Sequence, residues 1–239
     1  MSGPSRIPAR PSAQPKSKSR TPWVIGAVVA LVAVVALLFA ILAGGDDGDG
    51  GSDTTTPTNG SDASTAPGSE PGETQAVTIT GDPLEALADP ANDPAVGTLA
   101  PTLSGSSFDG TPVEITPGEG GPRLLVFLAH WCPHCQDEVP VLVDWHEQGG
   151  VPADLQVTAV ATGTDDERPN YPPSEWLEDE LWPWPVLADD EASSAGLAYG
   201  VSGFPFLVIL DAEGNVAARV SGEVPSDQLE QLIAQSLGG

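Results

Sequence analysis

The fold class that the sequence predicts is α/β, a mixed sheet with helices on both faces, and three observations predict it. The apolar run Leu124 to Ala129 is short enough to be a buried strand, and Val139, Leu142 and Val143 follow it at helical spacing. Leu155 to Ala161 is a second apolar, β-branched run, so the succession strand, helix, strand implies a βαβ unit with a parallel pair. Phe206 to Leu210 and Val216 to Val220, joined by a turn with Gly214, read as an antiparallel pair. Residues 76–239 are enough for one domain with a sizeable core and too few for two.

The remaining elements follow in order. Asp109-Gly110 between Leu103 to Phe108 and Val113 to Ile115 signals a hairpin, whereas the Pro-rich stretch from Gly81 to Pro101 gives no clear pattern. Pro140 lies inside the helix that follows Cys132 and is expected to kink it. Ser174 is the expected N-cap of a short helix through about Leu181, ended by Trp182-Pro183-Trp184-Pro185. Asp189 and Asp190 are placed to cap a small helix carrying Ala192, Ala195 and Tyr199. Ser226 is the expected cap of a last helix with Leu229, Leu232, Ile233 and Leu237 on one face.

Residues 1–22 hold five basic side chains, no acidic one and many Pro and Ser, a composition that cannot build a core and predicts a disordered cytoplasmic tail. Val24 to Ala43 is a run of 20 residues with no charge. At about 1.5 Å per residue it is just long enough for a bilayer core of about 30 Å, so residues 23–43 are expected to form one transmembrane helix. Basic residues on its N-terminal side place the N-terminus in the cytoplasm and the rest outside. The run is longer than the apolar part of a cleavable signal peptide and ends in Ile41-Leu42-Ala43, without a small residue at the required position, so an anchor is favoured. Residues 44–75, rich in Gly, Ser, Thr, Asp and Pro, read as a flexible extracytoplasmic tether reaching about 30 Å on average.

The chain has 34 acidic against 8 basic side chains and a net charge of −26, and after residue 20 its only cations are Arg123, Arg168 and Arg219. Such a surface is repelled by phosphate backbones and anionic lipid, which argues against nucleic-acid partners.

The two cysteines of the chain, Cys132 and Cys135, stand two apart where the strand gives way to the helix. The helix N-terminus favours a thiolate, the reactive form of cysteine. A structural disulfide closing so short a loop would contribute only about 2 kcal/mol. Zinc needs four ligands, and there is no second cysteine pair. A redox pair is favoured over both, with Cys132 exposed and Cys135 shielded one turn in.

The segments Gly97-Thr98-Leu99-Ala100-Pro101, Ala129-His130-Trp131-Cys132-Pro133-His134-Cys135, Glu138-Val139-Pro140, Pro185-Val186-Leu187-Ala188-Asp189 and Tyr199 to Pro205 together resemble the thioredoxin superfamily. Within it they look like the membrane-anchored TlpA/ResA-like thiol-disulfide oxidoreductases. The resemblance implies a thioredoxin-like fold with a central mixed sheet, preceded here by a single transmembrane helix. It also implies exchange with the thiols and disulfides of exported proteins, a membrane or exported redox partner, no metal and no cofactor beyond the Cys132–Cys135 disulfide. By it Cys132 attacks and Cys135 resolves, while Trp131, Pro133 and His134 support the pair. Phe204 and Pro205, the latter a cis-proline, hold the substrate chain. Glu138 matches an acidic residue suited to proton transfer, against which stands a merely solvated first-turn glutamate. The sequence departs from cytoplasmic thioredoxins in having Val126 where they carry a buried Asp. Its Pro133-His134 dipeptide resembles the oxidising DsbA proteins, which leaves the direction of electron flow open.

Two other functions compete. A Sco-like copper chaperone would use His130 and His134 beside two thiols, ligands suited to copper, although the Sco pattern is CxxxC with a distant His. A peroxidase-like redoxin would need a PxxxT/SxxC setting, and Leu128-Ala129-His130-Trp131 precede Cys132 instead.

Overall fold

Strand β4 (Arg123–Leu128) is buried along its whole length, because its side chains alternate between two apolar layers. Leu124, Val126 and Leu128 face helix α1 (Pro133–Glu147) and helix α4 (Ser226–Leu237), where Val139, Leu142, Leu229 and Ile233 cover them. Leu125 and Phe127 face the opposite layer, with Leu103, Ala198 and Tyr199. The computed structural model describes residues 70–238.

Strand β5 (Gln156–Ala161) runs parallel to β4 in the register Arg123↔Gln156 to Leu128↔Ala161, and β6 (Val186–Ala188) runs parallel to β5. On the other side β7 (Phe206–Leu210) is antiparallel to β4, and β8 (Val216–Ser221) is antiparallel to β7. Strand β2 (Thr102–Ser106) joins β6 through Ser106↔Ala188 and also pairs with β1 (Thr78–Thr80) and β3 (Pro112–Ile115). Among the described residues these strands form one mixed sheet. Helices α2 (Pro173–Asp179) and α3 (Ser194–Ala198) lie in the connections before and after β6. The strand, helix, strand unit followed by an antiparallel pair and a last helix is a thioredoxin-like α/β arrangement, as the sequence implied.

Several details differ from expectation. Ser174 does not cap α2 but lies inside it, and the Glu73 carboxylate accepts from the Ser174 N–H (3.0 Å) and hydroxyl (2.7 Å). Residues of the expected tether therefore bind the domain. Gly72 N–H donates to Phe108 O, Gln75 N–H donates to Asp189 O, and Gln75 is buried. Ser226 begins α4 without a side-chain cap bond, Pro225 being the residue before it. Asp189 and Asp190 do cap α3, accepting from Ala195, Gly196 and Ser194 N–H groups, but Ala192 and Tyr199 fall outside that helix. Helix α1 runs through Pro140, which lies on its exposed side.

The stretch from Gly81 to Pro101, patternless as sequence, is held by backbone bonds such as Gly97 N–H to Val216 O and Leu84 N–H to Ala198 O, and by a buried ion pair. Arg219 of β8 donates to both carboxylate oxygens of Asp93 and, through Nη1, to Glu85 O (2.8 Å) and Tyr199 O (2.9 Å). Gly200 has φ of 67° at this crossing, and a Cβ there would lie 2.3 Å from Glu85 O. The stretch then buries Leu84, Leu87, Ala95 and Ala100 against the sheet.

The expected tail (1–22), the expected transmembrane segment (23–43) and residues 44–69 of the expected tether lie outside the described residues. Among the described residues no helix is long and apolar enough to cross a membrane.

Candidate active site

Cys132 occupies the N-cap of α1, and its backbone is still extended (φ −79°, ψ 120°). Pro133 is the first helical residue, where its fixed φ suits the helix and its missing N–H costs nothing. Cys132 O accepts from both Cys135 N–H (3.0 Å) and Gln136 N–H (3.2 Å), which closes the first turn around the pair. Both cysteines are free thiols.

Cys132 is 7% exposed rather than open to solvent, which corrects the expectation of an exposed sulfur. The cause is the β7 approach. The Cys132 thiol donates to Phe204 O at 3.6 Å, and the following Phe204–Pro205 peptide is cis. Trp131 closes the other side, edge-on to the Phe204 ring at 5.9 Å and donating through Nε1 to Gly163 O at 2.7 Å. Cys135 is fully buried, and burial pushes its thiol far above the ordinary range, with the neighbouring Cys132 and Glu138 acting in the same direction.

Glu138 is not the solvated glutamate that competed with a functional reading. It lies one turn after Cys135 and is 1% exposed. Burial pushes its carboxyl up to about 7, the Glu223 charge acts with burial, and the Val224 N–H bond to Oε2 (3.0 Å) opposes them. Its Oε1 is buried with no hydrogen-bond partner. Because the folded pKa lies above the ordinary value of 4.5, Glu138 stabilises the fold fully below about pH 4.5. That contribution is lost as pH rises through about 7. Glu138→Gln, which keeps an acceptor for Val224, is therefore expected to be the more stable protein above pH 7, by on the order of 2–3 kcal/mol. Below pH 4.5 the two should converge. Denaturant titrations across pH check this, and parallel curves for the two proteins would refute it.

His134 Nδ1 pairs with Glu223 Oε1 on the surface of the turn between β8 and α4. Glu223 and Val224 thus touch His134 and Glu138, two of the supporting residues of α1, and sequence reasoning missed both. A glutamate after a strand carries no signal of its own. It also missed Arg168, whose guanidinium lies 4.2 Å from the Trp131 ring centre. The scarcity of cations after residue 20 was the signal that could have found it. His130 is brought to the site but not as a ligand, since both its ring nitrogens are bonded to backbone groups. Among the described residues no cluster of His, Cys, Asp and Glu could hold a metal ion.

The model of the AhpC/TSA family matches residues 96–219, from the segment before β2 to Arg219, with both cysteines, Phe204 and Pro205 inside it. The chain belongs to the AhpC/TSA family. Its family domain is thioredoxin-like, and its relatives include thiol:disulfide interchange proteins, so the resemblance read from the motifs holds. The thiol:disulfide interchange protein DsbE of Haemophilus influenzae is 34% identical over 106 residues, which are 44% of this chain and 54% of that protein. The methylamine utilization protein MauD of Methylophilus methylotrophus is 31% identical over 130 residues, 53% of this chain and 56% of that protein. The chain thus spans little more than half the length of these curated relatives. Among solved structures, a thioredoxin-family thiol:disulfide interchange protein of Chlorobium tepidum aligns with 64% of this chain and 100% of its own, at 24% identity and a TM-score of 0.49.

Proposed function

We propose that this protein is a membrane-anchored, extracytoplasmic thiol-disulfide oxidoreductase that exchanges disulfides with exported proteins. The observation that carries the proposal is the placing of Cys132 Sγ at the N-cap of α1, against the Phe204 carbonyl, with Cys135 buried one turn behind it. The Cys132 thiolate attacks one sulfur of a substrate disulfide. That S–S bond breaks, a mixed disulfide forms, and the other substrate sulfur leaves as a thiolate and takes a proton. Cys135 then loses its proton and attacks Cys132 Sγ, which releases the second substrate thiolate and leaves the Cys132–Cys135 disulfide. Two electrons have passed to the substrate, and the reverse sequence oxidises it.

Burial holds the Cys135 proton tightly, so the resolving step needs an acceptor nearby. Glu138, one helical turn away and half-ionised near neutral pH, is suited to that role. Phe204 and Pro205 supply the edge along which a substrate chain lies, and Trp131 walls it. The anchor is residues 23–43, with the N-terminus inside and a tether carrying the domain outside. A membrane or exported partner resets the pair.

Copper delivery finds no support at His130, whose Nδ1–H donates to Pro169 O while Nε2 accepts from Asp165 N–H. A peroxidatic role finds none in the residues before Cys132.

The direction of electron flow is tested by timing insulin-disulfide reduction and oxidation of a reduced, unfolded protein side by side. His134, paired with Glu223, holds a positive charge near Cys132 when protonated, which stabilises the thiolate and so the reduced form. His134→Pro is therefore expected to lower the reduction potential, by about 30 mV for each 1.4 kcal/mol removed, and to slow the oxidising reaction. An unmoved potential would assign that property to the scaffold. Stoichiometric copper binding or rapid peroxide consumption, with neither exchange reaction, would overturn the proposal.

A further inference from the structure

His130 is 2% exposed, and its partners dictate its chemical form. Nδ1 lies 2.7 Å from Pro169 O, which only accepts, so Nδ1 carries the proton. Nε2 lies 3.2 Å from Asp165 N, an N–H that only donates, so Nε2 is the bare lone pair. The imidazole is thus neutral and spans two backbone groups of one segment. The same segment returns to the site at other points. Its Gly163 carbonyl takes the Trp131 N–H, its Arg168 stacks on the Trp131 ring, and Asn170 donates to His130 O at 3.2 Å. Two consecutive residues before Cys132 therefore spend their side chains on residues 163–171, and the Trp131 that this segment holds also packs on Phe204.

We infer that His130 is a positioning residue: in its neutral Nδ1–H form it latches residues 163–171 onto Trp131, and the latched segment is the wall of the groove that admits a substrate chain to Cys132. The kinetic consequence rests on the exchange function proposed above, but the latch itself does not. A proton added at Nε2 would set one donor against another. The Asp165 N–H would lose its acceptor, and the wall would loosen while the Pro169 bond remained. Protonation at Nε2 would therefore open the latch. The titratable or charged groups on the latched segment are Asp165, Asp166, Glu167, Arg168 and Tyr171, the last with its ring 5.9 Å from the imidazole. The Asp165 carboxylate is already engaged by Glu167 N–H and Arg168 Nε, so it is not placed to hold an imidazolium instead.

The test needs the full-length chain in detergent micelles, labelled with 15N. At neutral pH the His130 ring should give the Nδ1–H tautomer, and on acidification the Asp165 amide should lose exchange protection with the midpoint of the His130 titration. His130→Gln should remove that pH dependence and raise KM for a protein disulfide about tenfold, with kcat changed less. Arg168→Ala should raise KM in the same direction with the His130 tautomer intact. An Nε2–H tautomer, Asp165 protection indifferent to the titration, or a loss of kcat at unchanged KM would overturn the latch. A wild-type protein inert in exchange but showing the tautomer and the coupled titration would sustain the latch and overturn the proposed function.

Discussion

Replacing Cys135 by serine is expected to turn a catalyst that cycles into one that stops at the mixed disulfide, and replacing Cys132 by serine is expected to abolish exchange. The difference follows from where the two sulfurs lie. Cys132 is the sulfur that faces the Phe204–Pro205 edge, whereas Cys135 is fully buried and out of reach of a protein substrate. On the proposed function first attack falls to Cys132, and a hydroxyl in its place is so much weaker a nucleophile that turnover should fall by about a thousandfold or more. Cys135 is needed only afterwards, when it stands one turn behind the bonded sulfur. Without it the adduct has no internal resolving thiol and should accumulate in stoichiometric amount. Non-reducing gels and intact-mass measurement after mixing with an oxidised protein substrate check both outcomes. Turnover by Cys132→Ser, or labelling of Cys132 without any adduct in Cys135→Ser, would assign the roles wrongly.

Arg219→Met is expected to destabilise the domain by about 3–5 kcal/mol, because it leaves the Asp93 carboxylate charged, buried and unpaired. The side chains of this pair are 0% and 1% exposed. The substitution also deprives Glu85 O and Tyr199 O of their donors, so the stretch from Gly81 to Pro101 loses its side-chain attachment to β8 and keeps only the backbone bonds of Gly97 and Thr98 to Val216. At about 2–4 °C per kcal/mol for a domain of this size, the Tm should fall by about 10 °C. The double variant Asp93→Leu, Arg219→Met should cost less than the two single changes together, since neither charge is then stranded. Thermal unfolding of the three variants decides it, and a loss below about 1 kcal/mol for Arg219→Met would mean that Asp93 finds water or another partner.

The sheet was legible where the hydrophobic period was clean. The βαβ unit around β4, the hairpin at Asp109-Gly110 and the final antiparallel pair each came from a short apolar run bounded by turn residues, and each lies where that pattern put it. Asp189 and Asp190 were read correctly as caps, because a carboxylate before a small helix has one obvious set of N–H groups to meet. Ser174 and Ser226 were misread for a related reason: Glu73, 101 residues away in sequence, took the N–H at Ser174, and Ser226 entered its helix. The stretch from Gly81 to Pro101 was illegible because its order comes from partners far along the chain, Arg219 among them at 126 residues beyond Asp93, and not from any local period. At the site the cysteine pair was plain in the sequence, but its depth was not. The exposure of Cys132 depends on how closely the Phe204 turn approaches, and the Glu138 environment depends on the Glu223-Val224 backbone, both long-range matters.

On the proposed function Cys132 and Cys135 form a reversible redox pair and not a staple. The full-length protein, equilibrated in glutathione buffers and assayed for free thiols, tests it most directly. A single two-electron transition is expected, with a midpoint between about −270 and −120 mV, the range spanned by disulfide-exchange catalysts. A midpoint below about −300 mV, where structural disulfides lie, or no transition at all, would contradict it.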